Sequence, residues 1–334
     1  MKKKNTLYIK SILILLSLIL TFTASGCKGI KQEYSKSGFA FDTVIGISIY
    51  DDNKTHADSV LTECINLCNY YDSLFSVSNP ESDIYKINNA GGIPVKVSEE
   101  TIEIIDRAIY YSKLSEGLLD ITIEPLYKLW DINASEHTDI PDENTINKYV
   151  TKVNYRTINI SYDNNTVSIL PGSEITLGAL AKGYIADMLK EYLISKEITS
   201  GLINLGGNIQ AFGSKPDGKQ YNIGIQKPFS QNGEIITNLY LTNKSVVTSG
   251  TYQRYFEYNN KIYHHIIDPN NGYPANNELA SVTIITESSL DADAYSTICM
   301  LMGYDKSVEF LNSLNADVSA IFIDNNGNIK ELGR

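Results

Sequence analysis

Strand patterns and isolated helix patterns follow one another irregularly along this chain, and that order constrains the fold more than any other feature. Residues 39–50, FAFDTVIGISIY, are rich in β-branched and aromatic side chains and predict a strand. Strand patterns dominate from about 150 to 290 and surround one helical segment, LGALAKGYIADMLKEYL. A doubly wound parallel sheet needs strands and helices in regular alternation. The sequence therefore predicts one compact α+β domain.

Helical periodicity is clearest near the two ends of this domain. Residues 56–75 place apolar side chains on one stripe. Cys64 and Cys68 share that face, so both are predicted to fill the core. A second helix is predicted to begin after Ser98, a suitable N-cap with two glutamates following it. Residues 291–314 return to helix, and the chain is predicted to close with the strand SAIFID.

The first residues have the pattern of a secretory leader. Four lysines flank an apolar run that ends in small residues just before Cys27. We expect a lipoprotein signal over residues 1–26, lipid attachment at Cys27, a polar tether over 27–37 and the folded domain over 38–334. Ordinary cleavage and an uncleaved anchor are the alternatives. In each case the domain is expected outside the cytoplasm, and a lipid on Cys27 would hold it to the membrane.

The charge of the chain excludes one class of partner. The formal net charge is −11, and removal of residues 1–26 takes away four lysines and no acidic residue, which gives −15. A surface of that charge repels nucleic acid. The chain also lacks a G-x-G-x-x-G segment after a strand and a G-x-x-x-x-G-K-[ST] segment. A nucleotide would therefore have to be bound by a different motif.

The segment LDADAYST, residues 290–297, contains a candidate metal site. Asp293 and Thr297 are four residues apart at the start of a predicted helix, so their oxygens lie on one face. A carboxylate and a hydroxyl are hard ligands that suit Mg²⁺. The alternative is that Asp291 and Asp293 only complement the positive end of the helix.

Two glycine-containing segments are weaker candidates. In LGALAKGYIAD, small residues around Lys182 allow close approach of another chain or a ligand, and the lysine could meet a phosphate. A solvated lysine at a helix start is the alternative. In INLGGNIQAFG, Gly206 and Gly207 indicate a bulge or a close approach to a flat group. A simple turn explains them equally well.

Two of the four histidines stand together in YHHIIDPNNGYP, residues 263–274, beside a rigid turn. A histidine there could act as a general base, because its ordinary pKa lies near working pH. A structural histidine is the alternative. Neighbours in a strand point to opposite faces, so at most one of His264 and His265 faces a given site.

In combination and in this order, these segments resemble the ApbE family of FAD:protein FMN transferases. The resemblance extends over nearly the whole chain after the leader. It is carried by seven ordered segments: FDT at 41–43, GLLDITIEPLYKLW at 117–130, LGALAKGYIAD, INLGGNIQAFG, TSGTYQRYF at 248–256, HIIDPNNGYP and ADAYST.

The resemblance implies a fold and a reaction. The fold would be α+β, with a mixed, largely antiparallel sheet core and flanking helices in a T-fold-like arrangement. FAD would be the substrate, cleaved at its pyrophosphate. Its FMN half would pass to a threonine or serine of a target flavoprotein, such as an electron-transfer subunit of the membrane, and AMP would leave.

The resemblance also assigns roles to residues of this sequence. Mg²⁺ would be held by Asp293, Thr297 and the backbone carbonyl of Ala179, and His265 would accept the proton of the attacking hydroxyl. His264 would be its outward-facing neighbour. Contacts to FAD would come from Phe41, Leu119, Asp120, Thr122, Thr176, Lys182 and Ile267, several of them through backbone groups.

The chain departs from the family pattern at three positions. The family usually has aspartate where Thr176 stands, S-G-D-Y where Thr251 replaces the aspartate, and D-P-x-T-G where Asn271 replaces the threonine. None of these changes removes a predicted metal ligand or the histidine. Two other functions stay open: an FAD pyrophosphatase that uses water as nucleophile, and a lipid-anchored flavin-binding protein without catalysis.

Overall fold

The computed structural model describes residues 31–333 apart from 135, 138, 231 and 232. The predicted leader and Cys27 lie outside the described residues. Within the described part of the chain, no helix is both long enough and apolar enough to cross a membrane.

The described residues contain eight α-helices and fifteen β-strands. The helices are α1 Lys54–Phe75, α2 Asp83–Asn89, α3 Glu99–Leu114, α4 Glu124–Trp130, α5 Glu143–Val150, α6 Ala181–Ser195, α7 Ser289–Met302 and α8 Tyr304–Ser313. The strands are β1 Gln32–Ala40, β2 Thr43–Asp51, β3 Val95–Lys96, β4 Asn159–Ser161, β5 Thr166–Ser168, β6 Gly201–Leu205, β7 Asn208–Phe212, β8 Tyr221–Gln226, β9 Ile235–Leu241, β10 Ser245–Gly250, β11 Tyr255–Tyr258, β12 Lys261–His264, β13 Leu279–Thr286, β14 Ser319–Asp324 and β15 Ile329–Leu332.

A sheet of eight strands in the order β1-β2-β6-β7-β10-β13-β14-β15 forms the centre of the domain. Every pairing within it is antiparallel. Helices α1, α6 and α7 pack on one face and bury the main apolar core. A smaller core beneath the hairpin β8–β9 contains residues of the central strands as well. The predicted α+β class, with an antiparallel sheet and flanking helices, is confirmed.

The segment FAFDTVIGISIY forms parts of two strands, so the prediction of a single strand is wrong. Strands β1 and β2 pair directly, with Ala40 opposite Thr43. Phe41 and Asp42 form the turn with φ of 54° and 56°. Neither residue is a glycine, so composition gave no sign of the turn. The segment predicted as a tether also differs, because residues from Gln32 onward belong to β1.

The predicted helices are present with small differences in their ends. The side chain of Ser98 caps α3 by accepting a hydrogen bond from the Thr101 amide, as predicted. Cys64 and Cys68 are fully buried in the core. The segment predicted as helical over residues 291–314 forms two helices, α7 and α8, because the chain turns at Gly303 with φ of 76°.

A third apolar cluster supports the histidine-containing segment. It joins α4 and α5 to the hairpin β11–β12 around the buried Trp130. The indole of Trp130 stacks on Tyr263, and its Nε1 donates a hydrogen bond to the carbonyl of Gly272 at 2.7 Å. Gly272 has φ of 75°, and a Cβ there would lie 2.5 Å from Ile146. The turn after the two histidines is therefore held against α4 and α5.

Candidate active site

The start of helix α6 lies directly against helix α7. The amide of Gly183, in the first turn of α6, donates a hydrogen bond of 2.9 Å to Oδ2 of Asp293. First-turn amides have no partner within their own helix, and α6 has no side-chain cap of its own. The carboxylate of Asp293 therefore caps α6 from the neighbouring helix, at the positive end of its dipole.

Asp187 fixes helix α7 in return. Its two carboxylate oxygens accept hydrogen bonds from the amides of Ser289 at 2.9 Å and Leu290 at 3.0 Å, and from the hydroxyl of Ser288 at 2.8 Å. Asp187 closes the segment LGALAKGYIAD, and the sequence alone had suggested no role for it. Reciprocal capping by Asp187 and Asp293 thus sets the position of both helices.

Asp293 combines deep burial with nearby positive groups. Its residue is 4% exposed, and burial raises the pKa of its carboxyl. Lys182, the Gly183 amide and the side chain of Asn208 act in the opposite direction and stabilise the charged form. A buried carboxylate of this kind is a strong site for a cation, because pairing relieves the cost of desolvating its charge. Asn208 was not identified from the sequence.

The predicted metal ligands are brought to one place. Thr297 lies one turn after Asp293 on α7, and it lines the same pocket as Ala179, which stands two residues before α6. No group of three or more His, Cys, Asp or Glu residues suited to a metal occurs among the described residues. One carboxylate, one hydroxyl and one backbone carbonyl still fit Mg²⁺, which usually takes several ligands from water and substrate phosphates.

A pocket with a cavity volume of about 30 Å³ and a mouth open to solvent lies beside these groups. Its wall contains six of the residues predicted as site residues: Leu119, Asp120, Thr176, Ala179, Ile267 and Thr297. The remainder of the wall is largely apolar: Leu118, Ile121, Ile123, Tyr127, Ile266 and Leu301. A mostly apolar cavity with a few polar groups is the usual form of a ligand site.

Asp120 and Thr122 hold the loop that forms one wall of this pocket. Asp120 Oδ1 accepts hydrogen bonds from the amide of Thr122 at 2.8 Å and its hydroxyl at 2.7 Å, and Oδ2 accepts one from the amide of Tyr155 at 2.8 Å. The Thr122 hydroxyl also accepts from the amide of Asn154 at 2.7 Å. Burial raises the pKa of Asp120. Both side chains are engaged within the protein, so contacts to a ligand would use the backbone.

His265 follows strand β12 and is oriented by the carbonyl of Arg254, the residue before β11. Its Nδ1 lies 3.2 Å from the carbonyl oxygen of Arg254, which can only accept a hydrogen bond. Nδ1 therefore donates, and the lone pair of Nε2 is left to accept a proton. Burial, with the charges of Arg254 and Lys182 among the smaller causes, lowers the pKa of His265 to about 4. The imidazole is neutral at pH 7, as a general base must be.

Lys182 acts electrostatically on two groups of the site, the carboxyl of Asp293 and the imidazole of His265. The residue lies in the first turn of α6, between the pocket residue Ala179 and Gly183. An ammonium group in this position supplies positive charge beside both the predicted metal ligands and the predicted base.

His264 was predicted to face outward, and this is wrong. The residue is 5% exposed, and its Nε2 lies 2.9 Å from the carbonyl oxygen of Ala275. The amide of Ile266 donates to its Nδ1 at 3.3 Å. Both ring nitrogens are used within the protein, and burial lowers the pKa of this side chain. His264 therefore stabilises the turn, while His265 is left for the site.

Two other candidates form turns. Phe41 stands in the β1–β2 turn and is not part of the pocket wall. Gly206 and Gly207 make the tight turn between β6 and β7, with φ of 62° and 95°. A Cβ at Gly206 would lie 2.6 Å from Thr43. The alternative of a simple turn therefore accounts for the glycine pair.

Comparison with known proteins identifies one family. Residues 41–322 match the ApbE family. The FAD:protein FMN transferase of Klebsiella pneumoniae is 37% identical over 89% of this chain and 91% of its own length. The protein of the same name from Treponema pallidum is 29% identical over 93% and 90%. The crystal structure of the ApbE protein of Thermotoga maritima superposes with a TM-score of 0.82 at 30% identity, covering 90% of this chain and 96% of that one. The flavin transferase ApbE of Vibrio cholerae superposes with a TM-score of 0.77 at 26% identity, covering 90% and 97%.

Proposed function

Since this chain belongs to the ApbE family, we propose that it is an FAD:protein FMN transferase whose reaction centre is built from Asp293, Thr297, Ala179, Lys182 and His265. The observation that carries the assignment of these residues is their convergence. Ala179 and Thr297 line one pocket, and Asp293 stands one turn before Thr297 on α7. The charge of Lys182 acts on both Asp293 and His265.

The proposed reaction joins a protein hydroxyl to the FMN phosphorus of FAD. The new bond forms between the hydroxyl oxygen and that phosphorus, and the bond from phosphorus to the bridging oxygen breaks. AMP leaves with the bridging oxygen. The hydroxyl proton passes to Nε2 of His265. Charge accumulates on the phosphate oxygens during this step, so positive groups near them lower the barrier.

Each of these residues has a separate role in the proposed reaction. Asp293, Thr297 and the carbonyl of Ala179 would hold Mg²⁺, which when bound draws negative charge from the phosphates and from the departing AMP. Lys182, whose charge acts on both Asp293 and His265, would add a second positive charge near the phosphates. The apolar wall excludes water, which strengthens these interactions. His265 is held by Arg254 in the orientation that a base requires.

Replacing His265 with alanine is expected to slow transfer by ~10²-fold, because general-base catalysis contributes about that factor. FAD affinity is expected to change little, since the imidazole acts on the acceptor hydroxyl. Initial rates of AMP release at saturating FAD and acceptor, with flavin fluorescence titration for affinity, measure both effects. His264→Asn is the control for disturbance of the turn. An unchanged rate in His265→Ala would move the base to another residue.

Dependence of AMP release on the acceptor separates the transferase from the pyrophosphatase. The same cation and base would serve a protein hydroxyl or water. We expect AMP release from FAD to rise at least ~10-fold when an acceptor protein is added, because water is then replaced by a positioned nucleophile. AMP and FMN formed at the same rate without acceptor would favour hydrolysis. FAD that stays intact on the protein under both conditions would favour the binding protein.

The proposal also covers the acceptor protein and the location of the enzyme in the cell. A target flavoprotein of the membrane, such as an electron-transfer subunit, suits a chain whose leader predicts export and lipid attachment at Cys27. The formal charge of −15 after residue 26 supports a partner other than nucleic acid. Lipid attachment at Cys27 can be tested in cells in two ways. Mass spectrometry of the N-terminal peptide would show the added mass of the lipid, and globomycin would block removal of the leader if the chain is processed as a lipoprotein.

A further inference from the structure

We propose that Phe229, Tyr252 and Tyr255 form the surface on which the acceptor protein docks, through contact with apolar side chains next to its acceptor threonine or serine. The proposal rests on the proposed function, because the acceptor is the second substrate of that reaction. It also gives a role to the segment TSGTYQRYF, in which the resemblance assigned no site residue.

The three aromatic rings contact one another and are partly open to solvent. The ring of Phe229 lies edge-on to the rings of Tyr252 and Tyr255, with centroid distances of 5.9 Å and 5.6 Å. Phe229 is 43% exposed and Tyr255 is 39% exposed. Single exposed apolar side chains are ordinary, whereas several that stand together mark contact with a partner. These three rings are called the aromatic surface below.

The backbone holds Phe229 in a conformation that favours glycine. Its φ is 56°. It follows Pro228 in a turn closed by a hydrogen bond of 3.3 Å from the amide of Ser230 to the carbonyl of Lys227. Proline at the second position and a positive φ at the third are features of a type II turn, where glycine or asparagine is usual. A bulky side chain there costs conformational free energy, and such costs are kept mainly at functional sites.

The aromatic surface is held in place by the rest of the domain. The amide of Lys227 donates to the carbonyl of Glu234 at 2.7 Å, and its ammonium group pairs with the carboxylate of the same residue at 3.2 Å. The ring of Tyr252 lies against Gly250 at the end of β10, where a Cβ would be 2.5 Å from the ring. A surface that is ordered before the partner arrives loses less entropy on binding.

The aromatic surface lies beside the predicted base. The carbonyl of Arg254, the residue before Tyr255, accepts hydrogen bonds of 3.2 Å from both the amide and Nδ1 of His265. Tyr255 is also paired across the hairpin with His264, and the Cα atoms of such a pair are about 5 Å apart. A protein hydroxyl that reaches Nε2 of His265 therefore brings its own neighbouring residues to this surface.

The rings determine which acceptor segment fits. An extended chain advances about 3.3 Å per residue, so side chains within about three residues of the acceptor hydroxyl come within ~10 Å of the base. Phenylalanine and tyrosine offer large, rigid contact areas, and aromatic residues commonly dominate the binding energy of protein interfaces. The expected partner is an extended segment with an apolar side chain within about three residues of its threonine or serine.

Steady-state transfer to a flavoprotein domain that the parent chain labels tests the proposal, with the full chain, FAD and Mg²⁺. Phe229→Gly and Tyr255→Thr are each expected to raise KM for this domain by about 10-fold, as expected for loss of a central ring of an interface. The kcat at saturating domain and the affinity for FAD should stay within about 2-fold, because only binding of the acceptor is weakened.

Two further readings separate docking from a structural role. Phe229→Gly suits the positive φ and should keep or raise Tm, so its weaker acceptor binding would not come from unfolding. Tyr240→Thr is the matched control, because Tyr240 is 64% exposed and stands at the far end of β9 from the turn. It should leave KM for the domain unchanged.

Changes in the acceptor test the same contact from the other side. Serine in place of the apolar residues within three positions of the acceptor threonine should raise KM of the parent chain by about 10-fold. Phe229→Gly should then add less than about 2-fold, because the two changes remove one contact.

Parent-like KM in both Phe229→Gly and Tyr255→Thr would overturn the proposal, as would fully multiplicative losses with the altered acceptor. Weaker FAD binding in these variants would place the flavin on the rings and refute acceptor docking. Dimers of the parent that Phe229→Gly abolishes, with unchanged KM for the domain, would assign the surface to a second copy of the chain. Normal labelling with parent-like KM refutes the docking surface alone. A parent chain that modifies no acceptor refutes the proposed function, and the docking surface with it.

Discussion

Replacing Asp293 with asparagine is expected to lower the rate of FMN transfer by ~10³-fold, because removing a charge that holds a catalytic cation costs several kcal/mol of transition-state stabilisation. Asparagine has nearly the same shape, and its oxygen can still accept from the Gly183 amide. The contact between α6 and α7 should therefore persist. Only the negative charge, buried at 4% exposure, is lost.

The measurement is AMP release and acceptor labelling at increasing Mg²⁺, for the parent chain and the variant. The parent should lose activity in EDTA and regain it with Mg²⁺. Asp291→Asn is a matched control, because Asp291 stands on the same helix and is engaged by the hydroxyl of Tyr111 at 2.5 Å and by Arg107 at 3.4 Å. Its effect on rate should be below ~10-fold. Full activity of Asp293→Asn at limiting Mg²⁺ would show that the cation is held elsewhere.

Replacing Gly183 with alanine is expected to destabilise the domain by about 2 kcal/mol and to reduce transfer by ~10²-fold. Alanine in a helix normally stabilises relative to glycine by about 1 kcal/mol. Here the added Cβ would lie 2.5 Å from the carbonyl oxygen of Ser289 and 2.8 Å from the Cβ of Asp293. Helix α7 would have to move away from α6. The hydrogen bond to Asp293 would lengthen, and the carboxylate would leave its position in the site.

Thermal unfolding and the transfer rate report the two parts of this prediction. Gly46→Ala is the control, because a Cβ at Gly46 would meet only the hydroxyl of Ser37, at 4.0 Å. That variant should keep both its Tm and its activity. A Gly183→Ala protein with unchanged Tm and unchanged activity would mean that the helices can separate slightly without consequence for the site.

Features that depend on near neighbours in the sequence were predicted better than the path of the chain. The spacing of Asp293 and Thr297 fixes both on one helical face wherever the helix lies, and the structure has them in α7. Ser98 caps its helix through a contact three residues away. Features of this kind depend on near neighbours alone, so sequence patterns contain most of the required information.

Features set by distant contacts were not predictable in the same way. The turn at Phe41 and Asp42 interrupts a run of β-forming residues, and no glycine or proline marks it. Alternation in a strand placed His264 and His265 on opposite faces but could not say which face was covered. Packing of the hairpin against α4 and α5 decides that, and it buries His264.

Asp187 was missed for a related reason. It is one acidic residue in a largely apolar stretch, and its role depends on partners about 100 residues away. The sequence signal was a charge surrounded by apolar residues, in KGYIADML. Buried charges are rarely kept without a partner, so such positions warrant a search for one.

Intact mass spectrometry of an acceptor protein tests the central claim most directly. The full chain is incubated with FAD, Mg²⁺ and a flavoprotein domain that has a candidate acceptor threonine, with an alanine variant of that threonine in parallel. We predict that the acceptor gains the mass of one FMN less one water, that one AMP appears for each acceptor modified, and that the alanine variant gains nothing. Release of FMN and AMP with every acceptor tested left at its original mass would contradict the transferase.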